Sequence, residues 1–348
     1  MKICTKKHQG TNAGRDVGKG VFGIGGSGMQ SFLAKARQSQ FYGVGLLLIV
    51  TLVVWVIFFA LTSAINPGSF GDPSKMLTYL QRGIIYSVGA CGFYFVVVQG
   101  LFDFSIGSMI ILSELMSIAL IPQAGWFSVV VVPILTGFVL GLINGLVFKT
   151  LRIPSMIVTT GMSLIYEALS VRAADINGTR LASEFSLFGS YPWNLIFALA
   201  CFCITGFIIK YTKIGTYSNA IGSNELVAKN MGVNVDKYKV IALTLTGAFC
   251  GAMAVLYLGY GTAQTPQTGM LSQSLNFMPL MGVFFGIAFK RYGHPIVSIV
   301  IGEFMVSMML AGFIAIGVST SVNQIVTGIT VLLILMLTTK RRNGAVVK

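Results

Sequence analysis

Between Gly83 and Ile121 the chain reads GIIYSVGACGFYFVVVQGLFDFSIGSMIILSELMSIALI. Two apolar runs, 83–100 and 105–121, flank a short interruption at Gly100-Leu101-Phe102-Asp103-Phe104-Ser105-Ile106-Gly107-Ser108. A helix crossing about 30 Å of hydrocarbon needs roughly 20 apolar residues, with about 17 as a practical minimum. Both runs meet that length. The interruption sets an acid, two serines and two glycines between them, and a helix broken inside a membrane leaves backbone groups that lipid cannot satisfy. The break must therefore face protein or a watery cavity. Two readings follow: a tight turn capped by Asp103, or a segment that contacts a solute. In either, Asp103 and Ser105 are placed to cap the half-helix that follows.

Working outward, the same pattern recurs. Apolar runs near 43–65, 127–148, 155–172, 193–210, 240–260, 277–289, 294–318 and 322–339 join the first two, predicting an all-α polytopic membrane protein of about ten transmembrane helices. The 277–289 run is short and reads as broken or re-entrant. Composition agrees: of 348 residues 55% are hydrophobic and only 10% charged, where soluble domains carry about 25%. Too few polar side chains exist to cover a soluble surface. A soluble enzyme, a disulfide scaffold and a disordered tail protein are excluded. Residues 1–40 read as a basic, glycine-rich, flexible cytoplasmic tail, 41–340 as the transmembrane domain, and 341–348 as a cytoplasmic C-terminal tail. The tail does not read as a signal peptide, because its first apolar run begins near Phe41.

The charge balance is 24 Lys+Arg against 10 Asp+Glu, formally +14. With the tail inside and ten crossings, segments 1–40, 101–104, 149–154, 210–239, 290–293 and 340–348 lie inside. They hold seven, no, two, five, two and four basic residues, twenty in all, and the outer segments hold Lys75, Arg82, Arg172 and Arg180. Such a partition is what positive-inside sorting produces, with N-in and C-in orientation. The excess is thus an orientation signal and not a nucleic-acid surface. Two histidines and five scattered cysteines give no metal-ligand pattern, and the glycine-rich Gly23–Gly28 lacks the lysine of a phosphate-binding loop. No cofactor, metal or covalent chemistry is expected of this chain.

The longest charged segment between spans is 210–239. Within it Asn224 can cap a two-turn helix and Gly232 can end it in the left-handed conformation. Glu225 and Lys229 stand at i,i+4, and Val227, Ala228 and Met231 are expected to share one face. An amphipathic helix under a membrane domain suits docking into a groove on a cytoplasmic partner, and it equally suits a simple connection between two spans. Glu114, Glu167 and Glu303 fall inside proposed spans. Carboxylates there mark pathways or pairs by default, though the small and hydroxyl residues around Glu114 and Glu303 suit a structural role as well. Asn144, Asn276 and Gln324 are polar residues that either line a solute path or bond between helices.

These segments together resemble the permease subunits of ribose-type ABC sugar importers, the branch that includes autoinducer-2 and galactoside systems. The Gly100–Ser108 stretch is similar to that family's G-G-I-D-L-S-V-G-S. The resemblance continues in Gly141-Leu142-Ile143-Asn144-Gly145-Leu146 and in Leu151-Arg152-Ile153-Pro154-Ser155 to Gly161-Met162. It is densest in Gly215-Thr216-Tyr217-Ser218-Asn219-Ala220-Ile221-Gly222-Ser223-Asn224-Glu225 through Ala228 to Gly232-Val233-Asn234-Val235. The resemblance covers roughly 40–340. It implies a permease that forms the solute path for a sugar or sugar-like polar molecule in the bacterial cytoplasmic membrane. Implied partners are ATPase subunits, an extracytoplasmic solute-binding protein and a second permease copy or paralogue. By the same resemblance the 224–232 helix is the cytoplasmic coupling helix. Its contact residues would be Asn224, Glu225, Val227, Ala228, Lys229, Met231 and Gly232, and the path residues Asp103, Ser105, Asn144, Asn276, Glu114 and Glu303. The chain departs at 281–293, where bulky and basic residues replace the family's V-I-G-G-T-S-L-x-G-G-x-G, which bears on substrate and on pairing. Alternatives are a proton-coupled secondary carrier using Glu114, Glu167 or Glu303, and an ABC permease for nucleosides.

Overall fold

The computed structural model describes residues 42–179, 181–261, 265–289 and 294–318, and four further positions, 322, 325, 328 and 329. The N-terminal tail, Arg180, Lys290, Arg291, Gln324, most of the expected tenth span and the C-terminal tail lie outside the described residues. Among the described residues every regular element is helical. The long helices are α1 (Tyr42–Ile65), α2 (Pro73–Val98), α3 (Ile106–Ala124), α4 (Trp126–Leu151), α5 (Ser155–Asn177) and α6 (Trp193–Tyr211). Two shorter helices follow, α7 (Lys213–Ser223) and α8 (Glu225–Asn230), then α9 (Val235–Gly259), α10 (Phe277–Phe289) and α11 (Pro295–Ala315). Eight described segments are long and apolar enough to cross a membrane.

The sequence-based boundaries shift for identifiable reasons. α2 begins ten residues before the expected 83, because Pro73 occupies its first turn, where the missing N–H costs nothing. α5 has 23 residues, long enough to cross, but carries Glu167, Arg172 and Asp175 and is not among the eight sufficiently apolar segments. α10 has 13 residues, about 20 Å of rise, too little for hydrocarbon about 30 Å thick. A six-residue 3-10 turn, Leu271–Asn276, precedes it, so the span over Leu271–Ala288 is broken, as the short run suggested.

α2, α3 and α9 form the centre: most of each is buried, and every residue of α3 from Ile106 to Leu115 is covered. α1, α4 and α6 turn apolar side chains outward, including Leu52, Ile57, Leu135, Phe138, Ile196 and Phe207. In water that surface would be untenable; in lipid it is the expected one. Between helices lipid supplies no hydrophobic drive, so close packing must hold the bundle. The α4–α9 seam does this with glycines: a Cβ on Gly137, Gly141 or Gly251 would overlap the backbone of the facing helix. The extended contact of α9 with α4 and α2 makes it the post around which the others stand.

Candidate functional site

The break between α2 and α3 is where the polar side chains meet. Gly100 takes φ +76° and Leu101 N–H donates back to Val96, which ends α2 and frees the next backbone groups. Each finds a buried side chain. Phe102 N–H donates to Ser155 Oγ and Phe104 N–H to Thr159 Oγ1, both at 3.0 Å, so two hydroxyls one turn apart on α5 serve one side. Asn276 serves the other: its Oδ1 accepts from Gly107 N–H at 2.6 Å and its Nδ2 donates to Phe104 C=O at 2.7 Å. Backbone that lipid cannot satisfy is thus paired inside protein.

Asp103 Oδ1 accepts from the N–H and the Oγ of Ser105 at 2.8 and 2.6 Å. Asn144 Nδ2 on α4 donates to the same Ser105 Oγ at 2.7 Å. Tyr166 Oη on α5 donates to Asn144 Oδ1 at 2.8 Å, sharing its proton with Leu140 C=O at 2.9 Å. The expected roles of Asp103 and Ser105 as caps of α3 therefore need correction. Ser105 holds the capping position, but its hydroxyl is engaged with Asp103 and Asn144, and the first-turn N–H of Gly107 is satisfied by Asn276, 169 residues away. Gly107 is required for that approach, since a Cβ there would overlap the carbonyl oxygen of Ser272. Asp103, Ser105, Asn144 and Asn276 are thus brought into one network, all at most 2% exposed, and Asp103 Oδ2 is its one oxygen without a described partner.

Glu114 and Glu303 stand apart from it. Glu303 Oε1 accepts from Gly282 N–H of α10 at 2.8 Å, and a Cβ on Gly282 would collide with the carboxylate. Glu167 caps the broken span: its two oxygens accept from Met270 and Ser272 N–H at 2.8 and 3.0 Å. Glu114 is 1% exposed, and neither of its oxygens has a partner among the described residues.

The 210–239 segment contains two helices rather than one. α7 packs on the Val98 end of α2, close enough that Gly222 leaves no room for a side chain against the Val98 carbonyl. Gln99 Nε2 ties it there through Ser218 Oγ at 2.8 Å. α8 follows, with the expected ends: Asn224 Oδ1 accepts from Val227 N–H at 3.2 Å, and Gly232 takes φ +84°. Two expectations fail. Glu225 pairs with Lys239 at 2.7 Å and not with Lys229, because the chain reverses at Gly232 and brings α9's first turn beside α8. Nor do Val227, Ala228 and Met231 share a face. Ala228 is buried against Ile221 and Val235, whereas Val227 is 52% and Met231 79% exposed. Leu226, at 73% exposed, joins them; sequence reasoning passed over it.

The family model described as branched-chain amino acid transport system / permease component matches residues 75–335, which contain the break, its network and the α7–α8 segment. The chain belongs to this permease family. Among curated relatives, the permease is 22% identical over 303 residues to the ribose import permease protein RbsC of Escherichia coli (strain K12), covering 84% of this chain and 94% of the relative. It is 27% identical over 299 residues to the RbsC of Bacillus subtilis (strain 168), covering 81% and 89%. It is 25% identical over 338 residues to the galactose/methyl galactoside import permease protein MglC of Escherichia coli (strain K12), covering 86% and 93%. No solved structure matches the permease. The resemblance to ribose-type import permeases read from the motifs is borne out. What motif reading missed is the α5 contribution, Ser155, Thr159 and Tyr166. Its trace was a pair of hydroxyls at i,i+4 on the least apolar long helix.

Proposed function

We propose that this chain is the membrane-spanning permease subunit of an ABC importer for a sugar or sugar-like polar solute. It would lie in the bacterial cytoplasmic membrane with ten spans, N-in and C-in. ATPase subunits would drive it from the cytoplasm, an extracytoplasmic binding protein would deliver the solute, and a second permease would complete the path. The kinship to ribose and galactoside import permeases across more than four fifths of the chain supports the solute class. Orientation is supported by packing. Gly145 of α4 meets Val240 of α9, and Gly222 meets Val98, so Lys149, Arg152, Lys210, Lys213, Lys229, Lys237 and Lys239 gather at one end of the bundle. Lys75, Arg82 and Arg172 are at the other, which supports taking the first end as the cytoplasmic one.

The observation that carries the reading is α8 at that cytoplasmic end. Leu226, Val227 and Met231 project from it into what must be water, while Ala228 anchors it to α7 and α9. Exposed apolar residues on a short, capped, well-anchored helix suit insertion into a groove on the ATPase. Closure of the ATPases would push α8, and α7 would pass the movement to the Val98 end of α2 and so to the break at 100–105. Asp103, Ser105, Asn144 and Asn276 stand at that break, and there a rigid-body shift of helices would open the path. Glu114 and Glu303 are further candidates for lining it. The chain itself makes and breaks no covalent bond.

The test is Met231→Asp in the full transporter. Because Met231 is largely exposed, the fold should change by less than about 0.5 kcal/mol. ATPase copurification and ATP-driven uptake should fall at least about tenfold. Full uptake with Leu226→Asp and Met231→Asp combined would sink the docking role of α8.

A further inference from the structure

We propose that the corner where α6 turns into α7 seats an anionic phospholipid of the inner leaflet, its phosphate held by Lys210, Lys213 and His294. The inference rests on the permease reading, which makes this end of the bundle cytoplasmic, and adds to it a lipid ligand. α6 packs on α2 and α7 and meets α11 at Gly206, where a Cβ would stand 3.3 Å from Ile296 Cδ1 and 3.9 Å from His294 Cε1. Lys210 follows Gly206 by four residues, one turn and about 6 Å nearer the cytoplasm on the same face. His294, at the N-terminus of α11, and Lys210 are therefore neighbours across the α6–α11 junction, and both are exposed. Lys213 opens α7 three residues further on and is exposed as well.

Charge and apolar surface together identify the occupant. Neither α6 nor α7 contains an Asp or Glu, and the acid of α11, Glu303, is turned to α10. Neither lysine takes part in an ion pair among the described residues. The positive charge of this corner is thus left for an anion from outside the chain. Next to it, toward the middle of the bilayer, Ile204 and Phe207 of α6 and Val297 of α11 are exposed. A free phosphate would leave that apolar surface uncovered. A phospholipid covers it with an acyl chain while its phosphate reaches the bases. The aromatic side chains set the depth. The exposed Tyr211 ring lies 5.6 Å from that of Phe207, and Lys210 Nζ is 5.3 Å from the Tyr211 centroid. Tyrosine at a membrane–water boundary sits at headgroup level, and a lysine beside it extends its ammonium to the same level. The His294 imidazole donates an N–H to a phosphate oxygen in either charge state. Because α7 begins at this corner, a headgroup held here fixes the level of the helix that meets the Val98 end of α2.

The experiment is native mass spectrometry of the purified full chain, taken from micelles holding equal amounts of phosphatidylglycerol and phosphatidylcholine. The chain should retain phosphatidylglycerol at least about tenfold over phosphatidylcholine, since each lysine near an anionic surface contributes about fivefold. This preference is read on the unaltered chain and so stands free of any folding defect. Lys210→Gln with Lys213→Gln should remove most of it. Arg82→Gln with Arg172→Gln, the same change of charge at the outer end, should keep it, and excess inorganic phosphate should not displace the lipid. Equal retention of the two lipids, a preference unchanged in the lysine variant, an equal loss in the outer-end variant, or displacement by inorganic phosphate would each overturn the proposal. The permease reading fails separately: a preference that depends on Lys210 and Lys213, in a transporter without ATP-driven uptake, leaves the lipid site standing and removes the transport role.

Discussion

Replacing Asn276 by alanine isolates the contribution of the brace across the broken helix. The amide spans Gly107 N–H and Phe104 C=O at 2.6 and 2.7 Å, and it is 2% exposed. Asn276→Ala strands one donor and one acceptor where water does not reach. An unsatisfied buried group costs about 1–3 kcal/mol. Measured side-chain hydrogen bonds within membrane bundles sit lower, at about 0.6 kcal/mol on average and 1.7 at most. Two groups at the overlap of these ranges give a loss of about 2–3 kcal/mol. For a chain of this size that corresponds to a fall in unfolding temperature on the order of 3–4 °C. Thermal unfolding of the purified chain in detergent measures it. Asn276→Asp keeps an acceptor for Gly107 but buries a carboxylate whose second oxygen faces the Phe104 carbonyl, so it should cost at least as much as alanine. Ser298→Ala is the control: its buried hydroxyl has no partner among the described residues, and its removal should leave stability unchanged or slightly raised. If Asn276→Ala unfolds within about 1 °C of wild type, the side chain does not hold the break together, and the account of how this chain tolerates irregular backbone in lipid is wrong.

Other perturbations test neighbouring parts of the same argument. Gly107→Ala sets a methyl group onto the Ser272 carbonyl and must separate α3 from the 271–276 turn, so uptake should fall more than about tenfold and the folded yield should drop with it. Glu225→Gln removes the partner of Lys239 in a half-exposed pair, for which about 0.2–1 kcal/mol is the expected loss; ATPase binding should persist, because α8 keeps Ala228 as its anchor.

The sequence makes the helical class legible because lipid imposes a length and composition rule on each span separately, and α1, α3, α4, α6 and α11 obey it. α5 marks the limit of that rule. Its pattern of Ser155, Thr159, Tyr166 and Glu167 answers partners on other elements, not lipid, so composition reports it only as a weak span. The network was half visible in the same way. Asp103 and Ser105 announce a break by sitting between two apolar runs, yet nothing local tells that Asn276 rather than Ser105 serves Gly107. α8 shows the converse. Its caps are local chemistry and were legible at Asn224 and Gly232. Its pairing and its exposed face depend on where α9 returns after Gly232, which helical spacing alone does not encode.

Glu114 decides between the two energy sources. A proton-driven carrier needs a carboxyl group that exchanges its proton as the bundle moves, and among the described residues three buried glutamates lie within the helices. Glu167 and Glu303 already accept backbone N–H groups that end or brace the broken span, so protonating the accepting oxygens would cost those bonds. Glu114 has no such commitment, and it stands seven residues beyond Gly107 on the same face of α3. If protons drove transport, Glu114→Gln would abolish uptake even with ATPase subunits bound, since an amide cannot carry a proton. Under ATP drive the substitution keeps the shape, leaves the α8 contact alone and removes an unpartnered acid. Uptake should therefore remain within about twofold, and the unfolding temperature should hold or rise, because the amide removes any cost of ionising a buried acid that has no partner among the described residues. Uptake measured with ATP present and the proton gradient dissipated separates the cases. Transport lost both on dissipation and in Glu114→Gln, with ATPase binding intact, would move the driving force from α8 to the interior of the bundle.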